Sequence, residues 1–131
     1  MTKEEAIARL LLDHATGLET ILPVAYPDVP FDDPDDGAHL RLALFFNGAA
    51  YEGLGSGDIK QGQLLVSVIM PKGQGLPRSA GIAGAVGTHF HKGLSLFGHG
   101  LRVRVSAEPQ IAAPVLSDAE TLTPITIPWR A

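Results

Sequence analysis

The sequence predicts an α+β fold, an antiparallel or mixed sheet of about four or five strands with two helices packed against it. Two segments repeat apolar residues at helical spacing, and several others alternate apolar and polar residues as strands do. They do not follow the strand–helix–strand repeat that a parallel sheet requires. With 131 residues, 45% of them hydrophobic and 18% charged, the chain suits one domain spanning 1–131 that buries a core. There are no cysteines, so disulfides, thiolate nucleophiles and Cys-ligated metal centres are excluded.

Thr2 followed by Glu5 is a capping-box pattern, and Ile7, Leu10, Leu11 and His14 share one helical face. The spacing predicts a helix over Lys3–Ala15, with Gly17 placed to end it in a left-handed conformation. Pro23, Pro27, Pro30 and Pro34 then deny the chain helical amide donors, so 22–34 reads as extended. Two readings stay open for it: an arm lying on a neighbouring subunit, or a surface connection. Asp28, Asp32, Asp33, Asp35 and Asp36 lack the ligand spacing of an EF-hand and read as a solvated acidic loop.

His39–Phe46 alternates as a half-buried strand, with Leu40, Leu42, Leu44 and Phe46 on one face and His39, Arg41 and Ala43 on the other. Phe45 breaks the polar face and marks a second packing contact. Gln63–Met70 is apolar on both parities, as a strand inside a sheet would be. The glycine-rich stretch 47–62 between them reads as a long hairpin tip or a loop. Pro77 opens a second helix running to about His91, with Ile82, Val86 and Phe90 stacked and Gly93 as the stop. Gly81, Gly84 and Gly87 leave one flank of that helix bare.

Leu101, Val103 and Val105 alternate with Arg102 and Arg104, giving a strand with a buried face and a cationic one, with Arg41 a candidate neighbour of the cationic side. The last strand, Thr121–Trp129, carries Pro124 and Pro128 on one parity, which predicts an edge strand.

Catalytic chemistry finds little support. Gly53-Leu54-Gly55-Ser56-Gly57 lacks the Lys-Ser/Thr of a phosphate loop and the strand–glycine–helix order of a dinucleotide site. Gly55-Ser56-Gly57 is no nucleophile elbow, and Glu52 with Asp58 is a carboxylate pair of a kind any chain this size offers. His89 and His91 diverge on a helix, so a metal site with His99 is disfavoured and surface histidines are expected. No metal or cofactor is expected. Net charge is −4, which disfavours tight nucleic-acid binding, and no apolar run reaches membrane-spanning length. The start at Met1 lacks the order of a signal peptide, so a cytosolic, soluble product is expected.

The order of the later segments is distinctive: a strand ending Met70-Pro71-Lys72-Gly73-Gln74-Gly75, an Ala/Gly-rich helix to Phe90 and Gly93, then Gly100-Leu101-Arg102-Val103-Arg104-Val105, Pro109, Pro114 and Leu122-Thr123-Pro124-Ile125-Thr126-Ile127-Pro128-Trp129-Arg130-Ala131. Together with the first helix and Pro23-Val24-Ala25-Tyr26-Pro27-Asp28-Val29-Pro30-Phe31, this resembles the tail terminator-like family of phages, prophages and gene transfer agents.

The resemblance implies a structural virion protein, not an enzyme, with no cofactor. It would form a homo-oligomeric ring of six subunits at the head-proximal end of the tail, made in the host cytoplasm during assembly. Its partners would be itself, the major tail tube protein and a head-completion or neck protein, with DNA passing through the lumen unbound and no membrane. Tyr51, Glu52, Asp58 and Lys60 sit in the loop expected to meet a partner, and Arg102 and Arg104 are candidates for subunit pairing. The alternatives are a head-completion or neck connector of the same particle, or a small hydrolase or nucleotide-binding enzyme using the glycine loop.

Overall fold

Thr2 opens the first helix, α1 (Lys3–Ala15), its hydroxyl accepting from the Glu5 amide at 3.1 Å. In the computed structural model residues 1–50 and 59–131 are described, with side chains for 1–47 and 60–131; Tyr51, Glu52, Asp58 and the Gly53–Gly57 run lie outside them. Ile7 and Leu11 are fully buried, while Leu10 and His14 flank them half-buried. Gly17 does not end the helix in a left-handed turn. The chain runs on into a 3-10 helix, Thr16–Thr20, and Gly17 instead admits the His89 ring, which a Cβ there would overlap.

Eight strands form one sheet: β1 (Val24–Ala25), β2 (His39–Ala50), β3 (Ile59–Pro71), β4 (Ser95–Gly98), β5 (Leu101–Val105), β6 (Gln110–Ile111), β7 (Val115–Leu116) and β8 (Glu120–Arg130). Their order is β1-β2-β3-β8-β5-β4, with β6 and β7 also on β8. The sheet is mixed because β1 pairs parallel with β2 while the other pairs are antiparallel. The proline-rich stretch therefore begins inside the chain's own sheet, with Val24 and Ala25 buried, and only the residues after Tyr26 run over the surface.

The expected four or five strands correspond to the longer ones; β1, β6 and β7 have two residues each and leave no periodic signal. The β4–β5 hairpin turns on His99 and Gly100, whose φ values of 51° and 78° are those of a type I′ turn. Both described ends of the glycine-rich stretch are strand, since β2 extends to Ala50 and β3 starts at Ile59, with a register shift between Phe46 and Ala49.

β8 is not an edge strand. It pairs with β3 without interruption from Gln61↔Arg130 to Pro71↔Glu120, and with β5, β6 and β7 on its other side. The prolines explain the asymmetry. The Pro124 and Pro128 carbonyls accept from the Ala112 and Ser106 amides, so both residues turn their backbone polar groups away from β3. Their missing donors fall on the side where the ladder is broken into short pieces.

Cross-strand rows Leu40–Val68–Thr123, Leu42–Val66–Ile125 and Leu44–Leu64–Ile127 build the core face. α1 lies over β4 and β5, and the second helix, α2 (Leu76–His89), lies over β3 and β8. It starts with Pro77 in its first turn and ends two residues before the expected His91; Gly93, at φ 87°, comes next in the turn to β4. Three glycines in α2 cost about 1 kcal/mol each, and burial of Val86 and Phe90, roughly 1.5–3 kcal/mol each, offsets them. On the opposite sheet face His39, expected to be polar surface, is buried beneath Phe31 with ring centroids 5.0 Å apart. Phe45 is 48% exposed, so it is not part of a buried packing contact of the kind expected of it. No described helix is long and apolar enough to cross a membrane.

Two glycines give opposite expectations. A Cβ at Gly62 would overlap the Phe45 carbonyl and the Trp129 ring, so Gly62→Ala should destabilise by roughly 1–3 kcal/mol. Gly84 faces open space on a helix, so Gly84→Ala should stabilise by about 0.4–1 kcal/mol; urea unfolding of both variants checks the contrast. Thr123 Oγ1 is buried without a hydrogen-bond partner among the described residues, so Thr123→Val should gain roughly 1 kcal/mol in the same assay.

Candidate assembly surface

Alternation along β5 turns Val103 and Val105 into the core and Arg102 and Arg104 outward, as the sequence predicts. Register adds what periodicity could not. Arg104 stands opposite Arg130 of β8, and Phe97 of β4 stands opposite Arg102 with 72% of its surface exposed. Arg102, Arg104, Ser106, Arg130 and Ala131 line an open cleft of about 480 Å³. A smaller recess of about 240 Å³ shares Ser106 and Arg130 and continues along Gln61, Gln63 and Asn47. Arg41 does not join this patch: it lies on β2, with β3 and β8 between it and β5, in the row of Ser67 and Pro124, whereas Arg104 stands in the row of Arg130.

Lys60, expected to contact a partner, is engaged within the chain. Its Nζ lies 3.2 Å from Glu4 Oε1 and ties the base of the β2–β3 hairpin to the first turn of α1. Glu4 is held below the ordinary carboxylate range by its backbone hydrogen bond and by Lys60. Both groups are partly exposed, so solvent screens the pair and it positions the segment more than it stabilises the fold.

A second surface, which sequence reasoning missed, lies at the start of α2. Met70 to Leu76 with Pro114, Leu116 and Thr121 line an apolar groove of about 310 Å³, beside exposed Leu76, Val115 and Leu116. Its walls come from β3, β7, β8 and the start of α2, which are spread along the sequence.

The histidines make neither a metal site nor a plain surface. His14 and His89 stack at 4.1 Å, 14° from parallel, with Phe90 edge-on to both. His14 Nε2 donates to the His89 carbonyl at 2.8 Å and His89 Nε2 donates to the His14 carbonyl at 2.6 Å. Because a carbonyl only accepts, both imidazoles carry their proton on Nε2. Each ring thus bonds the backbone at the final turn of the other's helix, at the last residue of α2 and next to the last of α1. His91 is exposed and turned to the Thr88 carbonyl. No three His, Asp or Glu side chains among the described residues come together as metal ligands, the acidic loop included.

The chain belongs to the phage tail terminator family, whose model, described as phage tail terminator protein, matches residues 6–129. That family is structural, and the chain is a structural tail protein of the virion. A solved chain of no stated function has the same fold, with a TM-score of 0.75 and 26% identity over 97% of this chain and 91% of its own. A chain from the virion of a native gene transfer agent particle has a TM-score of 0.63 and 18% identity, covering 95% of this chain and 91% of that one. No curated protein matches the sequence.

Burial, ahead of the charges of His89 and His91, holds His14 below its ordinary pKa of 6.5. The unfolded chain therefore takes up this proton first as pH falls. The contribution of neutral His14 is complete above pH 6.5 and is lost as pH falls through the lower folded value. Urea midpoints should be level from about pH 8 to 7 and decline below 6.5, and His14→Gln, which keeps a donor near the His89 carbonyl, should lessen the decline.

Proposed function

We propose that this chain is a tail terminator subunit, one domain over residues 1–131, that assembles as a ring of six on the head-proximal end of the tail tube. The ring stops tube polymerisation and provides the surface that joins the head. The observation that carries this reading is the family match across residues 6–129. Likeness to a chain of a gene transfer agent virion supports it at the level of fold.

The structure suits such a part. A ring subunit must present different surfaces to its neighbours, to the tube and to the head while holding its own shape. The uninterrupted β3–β8 ladder with both helices on one face supplies the rigid body. The cationic cleft and the apolar groove supply separate contacts. Arg102 and Arg104 serve subunit pairing, and Tyr51, Glu52 and Asp58, in the segment joining β2 to β3, meet a partner. Lys60 holds the base of that segment to α1. The major tail tube protein lies on one side of the ring and a head-completion or neck protein on the other, with DNA passing through the lumen unbound. Assembly takes place in the host cytoplasm.

Deleting the gene from its producing phage or prophage tests this directly. Tails of uncontrolled length, restored to uniform length by supplying the chain in trans, are the expected result. Normal tails that fail to join heads would instead assign the chain to the neck.

A further inference from the structure

The sheet carries opposite charges beside its opposite ends. Beside β1, between Ala25 and His39, the surface stretch presents Asp28, Asp32, Asp33 and Asp35 around Val29, which is 55% exposed. At the far end β5 presents Arg102 and Arg104 with Arg130 opposite, around Phe97. Each patch thus combines an exposed apolar side chain with exposed charges of one sign in the same segment or strand pair. β2, β3 and β8 lie between β1 and β5 in the sheet. Neither these four aspartates nor Arg102 and Arg104 take part in an ion pair among the described residues. Two complementary patches that do not neutralise each other within one chain can do so between copies.

Resting on the ring reading above, we propose that the acidic segment 28–35 of one subunit docks into the arginine cleft of the next. The occupant of the cleft is therefore a second copy of this chain. Such a contact joins two different patches, so each subunit uses both once and the chain of contacts closes into a ring when the rotation allows. Three features favour this segment as the docking element. Pro27, Pro30 and Pro34 restrict it before binding, which lowers the entropy lost on docking. Phe31 is held against His39, which anchors its middle. A carboxylate can take two hydrogen bonds from a guanidinium, and Arg102 and Arg104 both line the cleft of about 480 Å³.

The test uses the full chain and two charge-reversed variants, R102E/R104E and D32K/D33K, with sedimentation velocity at low salt over a wide concentration range. Circular dichroism confirms that each variant is folded. The wild type should self-associate, and more weakly as salt is raised. Each variant alone brings like charges together and should associate at least about tenfold more weakly. An equimolar mixture should recover association, because one contact is then native and the other is its mirror in charge. Association of either variant alone at wild-type strength, a mixture that stays monomeric, or a wild type that stays monomeric throughout would each overturn the docking contact. The length of tails in the deletion experiment reports separately on the terminator reading, so the two can fail independently.

Discussion

The ladder between β3 and β8 is the constraint on which the rest of the structure depends. β8 must be an interior strand to complete the core rows, because Thr123, Ile125, Ile127 and Trp129 face Val68, Val66, Leu64 and Gly62. Yet it carries two prolines, which an interior strand ordinarily excludes. Both face away from β3, so one side of β8 pairs along its full length and the other pairs only in short stretches. The broken side is where the chain loops outward between Ser106 and Ala119, and where the arginine cleft and the apolar groove open. A rigid side and an interrupted side on one strand give the molecule a stable body and accessible surfaces together.

The helices depend on this arrangement. α2 is a poor helix by intrinsic preference, and its three glycines are tolerable because Ala83, Val86 and Phe90 are buried against the sheet. Its last residue, His89, closes on His14 of α1 in a reciprocal pair that ties the end of each helix to the other. Gly17 lets the ring come that close. A single cluster of His14, His89, Phe90 and Gly17 thus fixes how the two helices meet over the sheet.

Much of the fold was legible in the sequence, for identifiable reasons. The bounds of α1 came from Thr2 and the spacing of Ile7 and Leu11, and β3 declared itself interior by being apolar on both parities. The errors share a cause: a local rule met a tertiary partner that one-dimensional reading does not contain. Gly17 looked like a helix stop because its neighbour His89 lies far along the chain. β8 looked like an edge because parity shows that the missing amides share a side but not that the other side is filled. Of the surface residues, Arg102 and Arg104 were visible in strand alternation, whereas Arg130 and Phe97 join them only through register. The apolar groove left no signal, since no single segment forms it.

The most direct measurement is an electron cryomicroscopy map of the assembled tail with this chain fitted into it. The account predicts a ring of copies at the head-proximal end, with the acidic segment of each subunit seated in the Arg102–Arg104 cleft of the next. Density for the chain along the tube wall, at the distal tip or as a single copy would contradict it.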